Sequence, residues 1–396
     1  VKTVIVGGGP VGLATALALA VEGASDDITV LEAGARDAAP WSDRNLALSA
    51  SSWQFLARIG LPVAELPRAP IERVDVSQAG AFGFCRLAAA DLDLPMLGAA
   101  VPYPALLAAL RSAVDRRAAQ GGLRVLYETK VDAVAHEARH AVVRLEGGER
   151  WVADGVVLAE GGAEDARSLL PEFRVFARDS GQTAVLARLH APKAPGATLA
   201  VERFTRGGAL ALVPRVVPAG APAEWTLIWA RPNAEAERLL ALDEAEFLAE
   251  VNAHAGPALG PLEPCSDPAA RRSAYPLRWR FTEPRASGAV VAVGNAAQGL
   301  HPVAAQGLNL GLADVRTLAR MLAPRGFGPI DVPSAFAAYA RARAPDRLFR
   351  IGFSGALAYG FDRGGWLLDA PRGLALTALE LLPAAKRALV RRLGLG

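Results

Sequence analysis

VKTVIVGGGPVGLATALALAVEGASDDITVLEAG, residues 1–34, decides the fold. Val4 to Val6 reads as a strand. The glycines at 7, 9 and 12 then give GxGxxG, and an alanine–leucine helix follows at once. Ile28 to Leu31 is a second strand, with Glu32 at its end, 20 residues after Gly12. Each position has a physical task. Gly7 makes the tight turn, Gly9 lets the backbone approach a pyrophosphate, and Gly12 lets helix and strand pack closely. Glu32 accepts hydrogen bonds from an adenosine ribose. The apolar run Val11–Val21 lacks a basic leader beyond Lys2 and flows into a strand, so it reads as part of this unit and not as a secretory signal. A second GxGxxG does not follow, which favours one tightly held dinucleotide; NAD and FAD both stay open on these residues.

A second stretch, AVVAVGNAAQGLHPVAAQGLNLGLAD at 289–314, is the late counterpart of the first. Ala289 to Val293 reads as a buried strand and Gly294–Asn295 as the turn out of it. His301–Pro302 cannot continue a helix, and a long helix runs from Gly307 to Ala323. Its N-terminus offers free N–H groups and the positive end of a dipole to an electron-rich group.

Between and beyond these stretches the 396 residues are 52% hydrophobic and 21% charged, which excludes a disordered chain and leaves room for two or three domains. A net charge of +3 without aromatic interleaving implies no nucleic-acid partner. Cys85 and Cys265 stand alone, so neither a disulfide framework nor a metal site is expected, and a reducing cytoplasm fits. Ser51 or Ser52 can cap a helix to about Arg58. Residues 71–100 alternate with a period of two, 101–120 return to helix, and EGGE at 146–149 reads as a hairpin turn. Strands dominate from Arg174 to Arg271, with one helix over 243–253, as in an inserted, mainly antiparallel domain. Phe204, Trp225, Trp229 and Tyr275 either line an apolar substrate pocket there or belong to its core. Ser334 caps a helix to about Tyr359, Gly364–Gly365 breaks it, and Pro383 divides the basic-ended tail into two short helices.

Several segments together resemble the flavin-dependent aromatic hydroxylases of the para-hydroxybenzoate hydroxylase fold, and more narrowly the ubiquinone-biosynthesis hydroxylases. They are GGGPVG (7–12), DRNLALS (43–49), LG (97–98), QTAVLA (182–187), ERFT (202–205), SAYPL (273–277) and 294–314. The resemblance runs from Val1 to about Leu393. It implies an α/β fold: a Rossmann-like FAD-binding domain from 1–173 and 272–345, an inserted β substrate domain from 174–271, and C-terminal helices from 346–396. It also implies non-covalent FAD contacts at Gly7, Gly9, Pro10, Gly12, Glu32, Arg44, Val131, Gly161, Asn295, Gly307, Leu308 and Asn309. Arg44 would reach the phosphates and the Val131 backbone the adenine. The family usually carries Asp-Gly, then serine and arginine, after the 155–158 strand. Here Glu160-Gly161 with Glu164 and Arg167 depart from that pattern and place added negative charge near phosphates.

The implied activity is hydroxylation of a polyprenylated (methoxy)phenol in ubiquinone biosynthesis, with NADPH or NADH as reductant and O2 as co-substrate. The flavin supplies the hard chemistry, and the protein supplies position and electrostatics. Backbone around His301–Pro302 would shape the reacting face, and His301 is a candidate proton relay or a structural histidine. The alternatives are a flavin monooxygenase or reductase acting on another aromatic compound, or a non-catalytic scaffold of a biosynthetic complex. No apolar run is long enough to span a membrane. Lys386, Arg387, Arg391 and Arg392 beside Leu389 and Leu393 leave two readings: a C-terminal helix docked on the core with solvated basic residues, or peripheral contact with the inner face of a membrane or with a biosynthetic complex, by an otherwise cytoplasmic protein.

Overall fold

The computed structural model describes residues 1–38, 44–137, 139–161, 168–265, 272–299, 306–324, 329–362 and 369–393. Its described helices are α1 (Pro10–Val21), α2 (Ala50–Arg58), α3 (Tyr103–Ala118), α4 (Asn233–Ala241), α5 (Glu244–Ala255), α6 (Gln306–Leu322), α7 (Val332–Asp362), α8 (Asp369–Leu381) and α9 (Pro383–Leu393).

The first sheet has six strands in the order Ala286–Ser287, Val290–Ala292, Gly155–Leu158, Lys2–Val6, Asp27–Leu31, Leu123–Leu126. It is parallel except at the 286–292 edge hairpin. Both faces are covered, which is why its strands read as near-continuous apolar runs. On one face α1, α3 and α6 bury Leu13, Leu17, Leu106, Leu110, Val315 and Leu318 against Ile5, Val30 and Val157. On the other, the antiparallel strands Val131–Glu137, His140–Leu145 and Arg150–Ala153 lay Val131, Val134 and Val143 against Val4, Val6 and Leu31. The expected hairpin turn is present, with Gly147 and Gly148 at φ 108° and 91°.

The second sheet has nine strands. The long strand Arg174–His190 lies between Ser273–Glu283 and Glu224–Pro232, followed outward by Gly208–Pro214, Leu199–Thr205, Arg73–Gln78 and Phe84–Ala88. The sheet therefore draws strands from both sides of the 174–271 segment; a 17-residue strand needs ladder partners along both edges. Helices α4 and α5 cover one face. Helix α4 is absent from the sequence reading. The cap of α2 is Ser49 and not Ser51 or Ser52, because its side chain accepts from Ser52 N while its backbone stays extended. Helix α7 likewise starts before Ser334, whose hydroxyl instead donates to Asp331 Oδ2 at 2.6 Å. Gly364 and Gly365 lie outside the described residues.

The tail divides at Pro383 as expected. Val390 is fully buried with Cys85 and Leu87, and Lys386 is buried too, donating to Arg86 O and Glu380, each at 2.8 Å. Arg392 lies over Phe349. So α9 docks on the core, and of the four expected basic contacts Lys386 is turned inward. The exposed apolar ridge lies on α8 and the following turn, at Leu374, Leu381 and Leu382. No helix among the described residues is long and apolar enough to cross a membrane.

Candidate functional site

The glycine loop comes first. Gly7 has φ +105°, and a Cβ there would meet Ala159 O at 2.8 Å. A Cβ on Gly12 would stand 1.9 Å from Gly7 O, so α1 can sit on its strand only with glycine at this position. Gly9 differs from both. Its backbone is ordinary (φ −74°, ψ −179°), and a Cβ would meet nothing within 4 Å. Neither strain nor protein packing requires that glycine, and the space it leaves opens the N-terminus of α1 to an approaching group. Pro10 takes the first helical position, where its missing N–H costs nothing. Glu32 accepts from Gly8 N at 2.6 Å and Gly34 N at 2.8 Å, which fixes its carboxylate beside the loop. Val131 is buried in the cluster that holds Leu31, near the same strand end.

The late stretch meets this loop through two further glycines. A Cβ on Gly294 would touch Val11 Cγ1 at 3.0 Å, and one on Gly311 would touch Val11 Cγ2 at 2.8 Å. The first turn of α1 thus sits in a notch between the late turn and α6. Asn295 is exposed in that turn. Gly307, also exposed, has open space where a Cβ would be, as has Gly161 beyond the 155–158 strand. Leu308 is half-buried. Asn309 is buried, accepting from Ser49 N and donating to Ala47 O, both at 2.9 Å. It pins the start of α6 to the strand Asn45–Ser49. His301, Pro302, Glu164 and Arg167 lie outside the described residues.

Beneath the late turn is a buried polar network that periodicity does not announce. Asp314, fully buried, accepts through Oδ1 from Arg285 at 3.3 Å and Arg343 at 2.8 Å. Its Oδ2 accepts from Gly294 N at 3.3 Å and Gln298 at 3.0 Å. Arg285 also donates to Gln298, and Tyr339 donates to Ala292 O at 3.2 Å. Burial first, then Asp314, pushes the Tyr339 phenol up, so it remains a donor. Burial opposes the charge on Arg285 most strongly, but Asp314 and Tyr339 together outweigh it and hold the guanidinium above its ordinary range. Asp314 therefore positions the Asn295 turn without facing the site. The one signal available in sequence is its place at the close of the 289–314 stretch.

The substrate-lining expectations divide by the pleat. Strand neighbours alternate faces. Trp225, Leu227 and Trp229 face α4 and α5 together with Val185 and Leu189. Trp225 is fully buried there, its Nε1 donating to Leu199 O at 2.9 Å, so it is a core residue and not a pocket wall. Tyr275 pairs in register with Ala184, which pairs with Ala230, and this row lies on the opposite face. The register of Phe204 with Ala209, beside Ala211 and Ile228, puts it on that face too. Arg44 lies over the Tyr275 ring at 4.7 Å, joining the glycine-loop domain to this face of the sheet. Burial pushes the Tyr275 phenol up, and Arg44 opposes that shift.

His190, Glu224 and Cys265, remote in sequence, bring ligand atoms within 4.8 Å of one another. Reading the cysteines singly misses this group. Glu224 is already held by Arg188 at 3.1 Å and Arg215 at 3.6 Å, charges a cation would have to displace.

A family model described as FAD binding domain matches residues 1–343. The ubiquinone hydroxylase UbiL of Rhodospirillum rubrum is 29% identical over 394 residues, covering 98% of this chain and 88% of that protein. The 3-demethoxyubiquinol 3-hydroxylase of Escherichia coli is 29% identical, covering 80% and 78%. Among solved structures, PqsL of Pseudomonas aeruginosa, a probable FAD-dependent monooxygenase, superposes with a TM-score of 0.76 at 20% identity, over 96% of this chain and 99% of that one. That likeness concerns the fold.

Proposed function

The chain belongs to the FAD-binding domain family, and from that membership we propose that this flavin-dependent monooxygenase hydroxylates a polyprenylated phenol in ubiquinone biosynthesis, with NADH or NADPH as reductant. The observation that supports this substrate class most is the similarity to a ubiquinone hydroxylase along 98% of the chain. The open space at Gly9, beside an N-terminus with no Cβ in the way, fits the pyrophosphate of FAD.

When bound, FAD supplies electron transfer and oxygen activation; the residues of this chain bind, orient and shield. The N–H groups at the start of α1 take the pyrophosphate, Glu32 the ribose, and the Val131 backbone the adenine. Asn295, held from below by Asp314, donates and accepts without adding charge. Gly307, Leu308 and Asn309 present the N-terminus of α6, whose free N–H groups and dipole would hold the electron-rich side of the flavin. Arg44 and Tyr275 close the gap between the nucleotide site and the sheet face carrying Phe204, Leu186 and Ile228, which offers an apolar wall to a prenyl chain. His301 is proposed as the proton relay, which a shifted pH profile in His301→Gln would reveal.

A polyprenyl substrate must be collected from a membrane or a carrier. Peripheral contact is proposed through the α8 ridge of Leu374, Leu381 and Leu382, with Arg387 exposed beside it. The functional reading is tested by incubating the FAD-loaded protein with NADH or NADPH and a prenylated methoxyphenol. Substrate-stimulated reductant oxidation together with a hydroxylated product is expected. Oxidation that ignores the phenol, with no product, would contradict it.

A further inference from the structure

Between the start of α2, the outer side of α6, and helices α7 and α9 lies a cavity of about 550 Å³. Its walls carry four arginines, Arg316, Arg343, Arg391 and Arg392, against one acid, Asp346. Asp346 is ion-paired to Arg343 Nη1 at 2.8 Å and offsets only part of the charge on Arg316, one carboxylate against four guanidinium groups. Arg343 is 92% buried; its Nε is bonded to Asp314, yet its Nη2 has no hydrogen-bond partner. Arg316 is half-buried, and neither it nor Arg391 forms an ion pair or hydrogen bond among the described residues. Burial lowers the pKa of Arg316, and repulsion from Arg320, Arg343 and Arg58 lowers it further. The remaining wall is the N-terminus of α2, where Ser51 approaches the Ser49 cap at 3.3 Å.

Gathering four guanidinium groups around one cavity, at the positive end of a helix and with a single carboxylate in the wall, is unfavourable unless a further anion compensates them. A lone carboxylate would satisfy one guanidinium fork. A phosphate presents several oxygens that match several forks at once. The cavity is also larger than inorganic phosphate needs. We propose that this cavity binds a phosphate-bearing ligand through Arg316, Arg343 and Arg391, with the Ser51 hydroxyl as a further donor. The proposal does not rest on the hydroxylation reading, because it concerns charge and space that exist whatever the substrate.

Inorganic pyrophosphate is the probe, titrated calorimetrically into the FAD-loaded protein at low salt. Saturable binding is expected. It should weaken about tenfold in Arg316→Gln or Arg391→Gln and about a hundredfold in the double variant, since each charge-assisted contact is worth roughly a factor of ten. Arg124→Gln, remote from the cavity, should bind as wild type does. Flavin content and the unfolding midpoint report folding; Arg391 is exposed, so its variant carries the test even if Arg316→Gln is unstable. NADH and NADPH are then offered as competitors. Displacement by either identifies a nicotinamide dinucleotide as the source of the phosphate, and displacement by neither, with arginine-dependent pyrophosphate binding intact, points to another organic phosphate. Equal affinity in wild type and double variant, no binding at all, or binding only after FAD is removed would each overturn the proposal.

Discussion

Gly9→Val and Gly12→Ala act on neighbouring positions of one loop and should fail in opposite ways. At Gly12 a Cβ stands 1.9 Å from Gly7 O, so α1 must lift from its strand; overpacking of this kind costs about 3 kcal/mol of stability. At Gly9 the added side chain meets no protein atom within 4 Å, and the backbone angles suit any residue. What remains is a poorer helix cap, worth about 1 kcal/mol. The binding cost is different. A valine there keeps a pyrophosphate from the α1 amides. Losing two charge-assisted hydrogen bonds at about 2 kcal/mol each weakens FAD roughly a thousandfold. The assay is urea unfolding of both apo-proteins, paired with FAD titration followed by quenching of flavin fluorescence. Gly9→Val should unfold near the wild-type midpoint and bind FAD hardly at all, whereas Gly12→Ala should unfold early. If Gly9→Val binds FAD like wild type, or is destabilised as much as Gly12→Ala, the reading of the loop is refuted.

Asp314→Asn leaves two buried arginines facing one fewer charge. It should cost about 3 kcal/mol in urea unfolding and weaken FAD binding through the Asn295 turn, whereas wild-type-like values on both counts would show that Asp314 does not position that turn. Tyr275→Ala removes the ring beneath Arg44, and should raise the KM for the phenol several-fold with little change in flavin content, as read by steady-state kinetics. Burial pushes the Cys85 thiol up to about 11, so at pH 8 it is a thiol and inaccessible. Iodoacetamide labelling of Cys85, followed by mass spectrometry, should appear only after unfolding. Leu381→Glu should reduce co-sedimentation with anionic vesicles if the α8 ridge touches lipid; equal sedimentation of both forms would remove that contact.

The parts of the fold read most directly from sequence are those where a local backbone need selects glycine. Gly7 is required by its own φ of +105° and Gly12 by the close approach of Gly7 O, so 1–34 could be read without knowledge of the rest. The strand–turn–helix of 289–314 was legible for the same reason, with α6 starting one residue before Gly307. What was not legible depends on register and tertiary contact. Trp225 and Tyr275 are alike as aromatics, and only the pairing of Arg174–His190 with both neighbouring strands puts them on opposite faces. Asp314 reads as one polar residue in mid-helix until Arg285 and Arg343, 29 residues away on either side, close over it. The His190–Glu224–Cys265 group and the arginine cavity are assembled from remote segments in the same way. Lys386 was expected outward with its basic neighbours, yet the docking of α9 through Val390 turns it onto Arg86 O.

The most direct test of the central claim follows the oxygen. The FAD-loaded protein would be supplied with reductant, a prenylated methoxyphenol and O2 of the heavy isotope, and the product weighed by mass spectrometry. A ring-hydroxylated product carrying one labelled oxygen atom is expected, formed by wild type and lost in Gly9→Val. A product oxygen that comes from water, or reductant consumption that yields only hydrogen peroxide whatever phenol is offered, would contradict it.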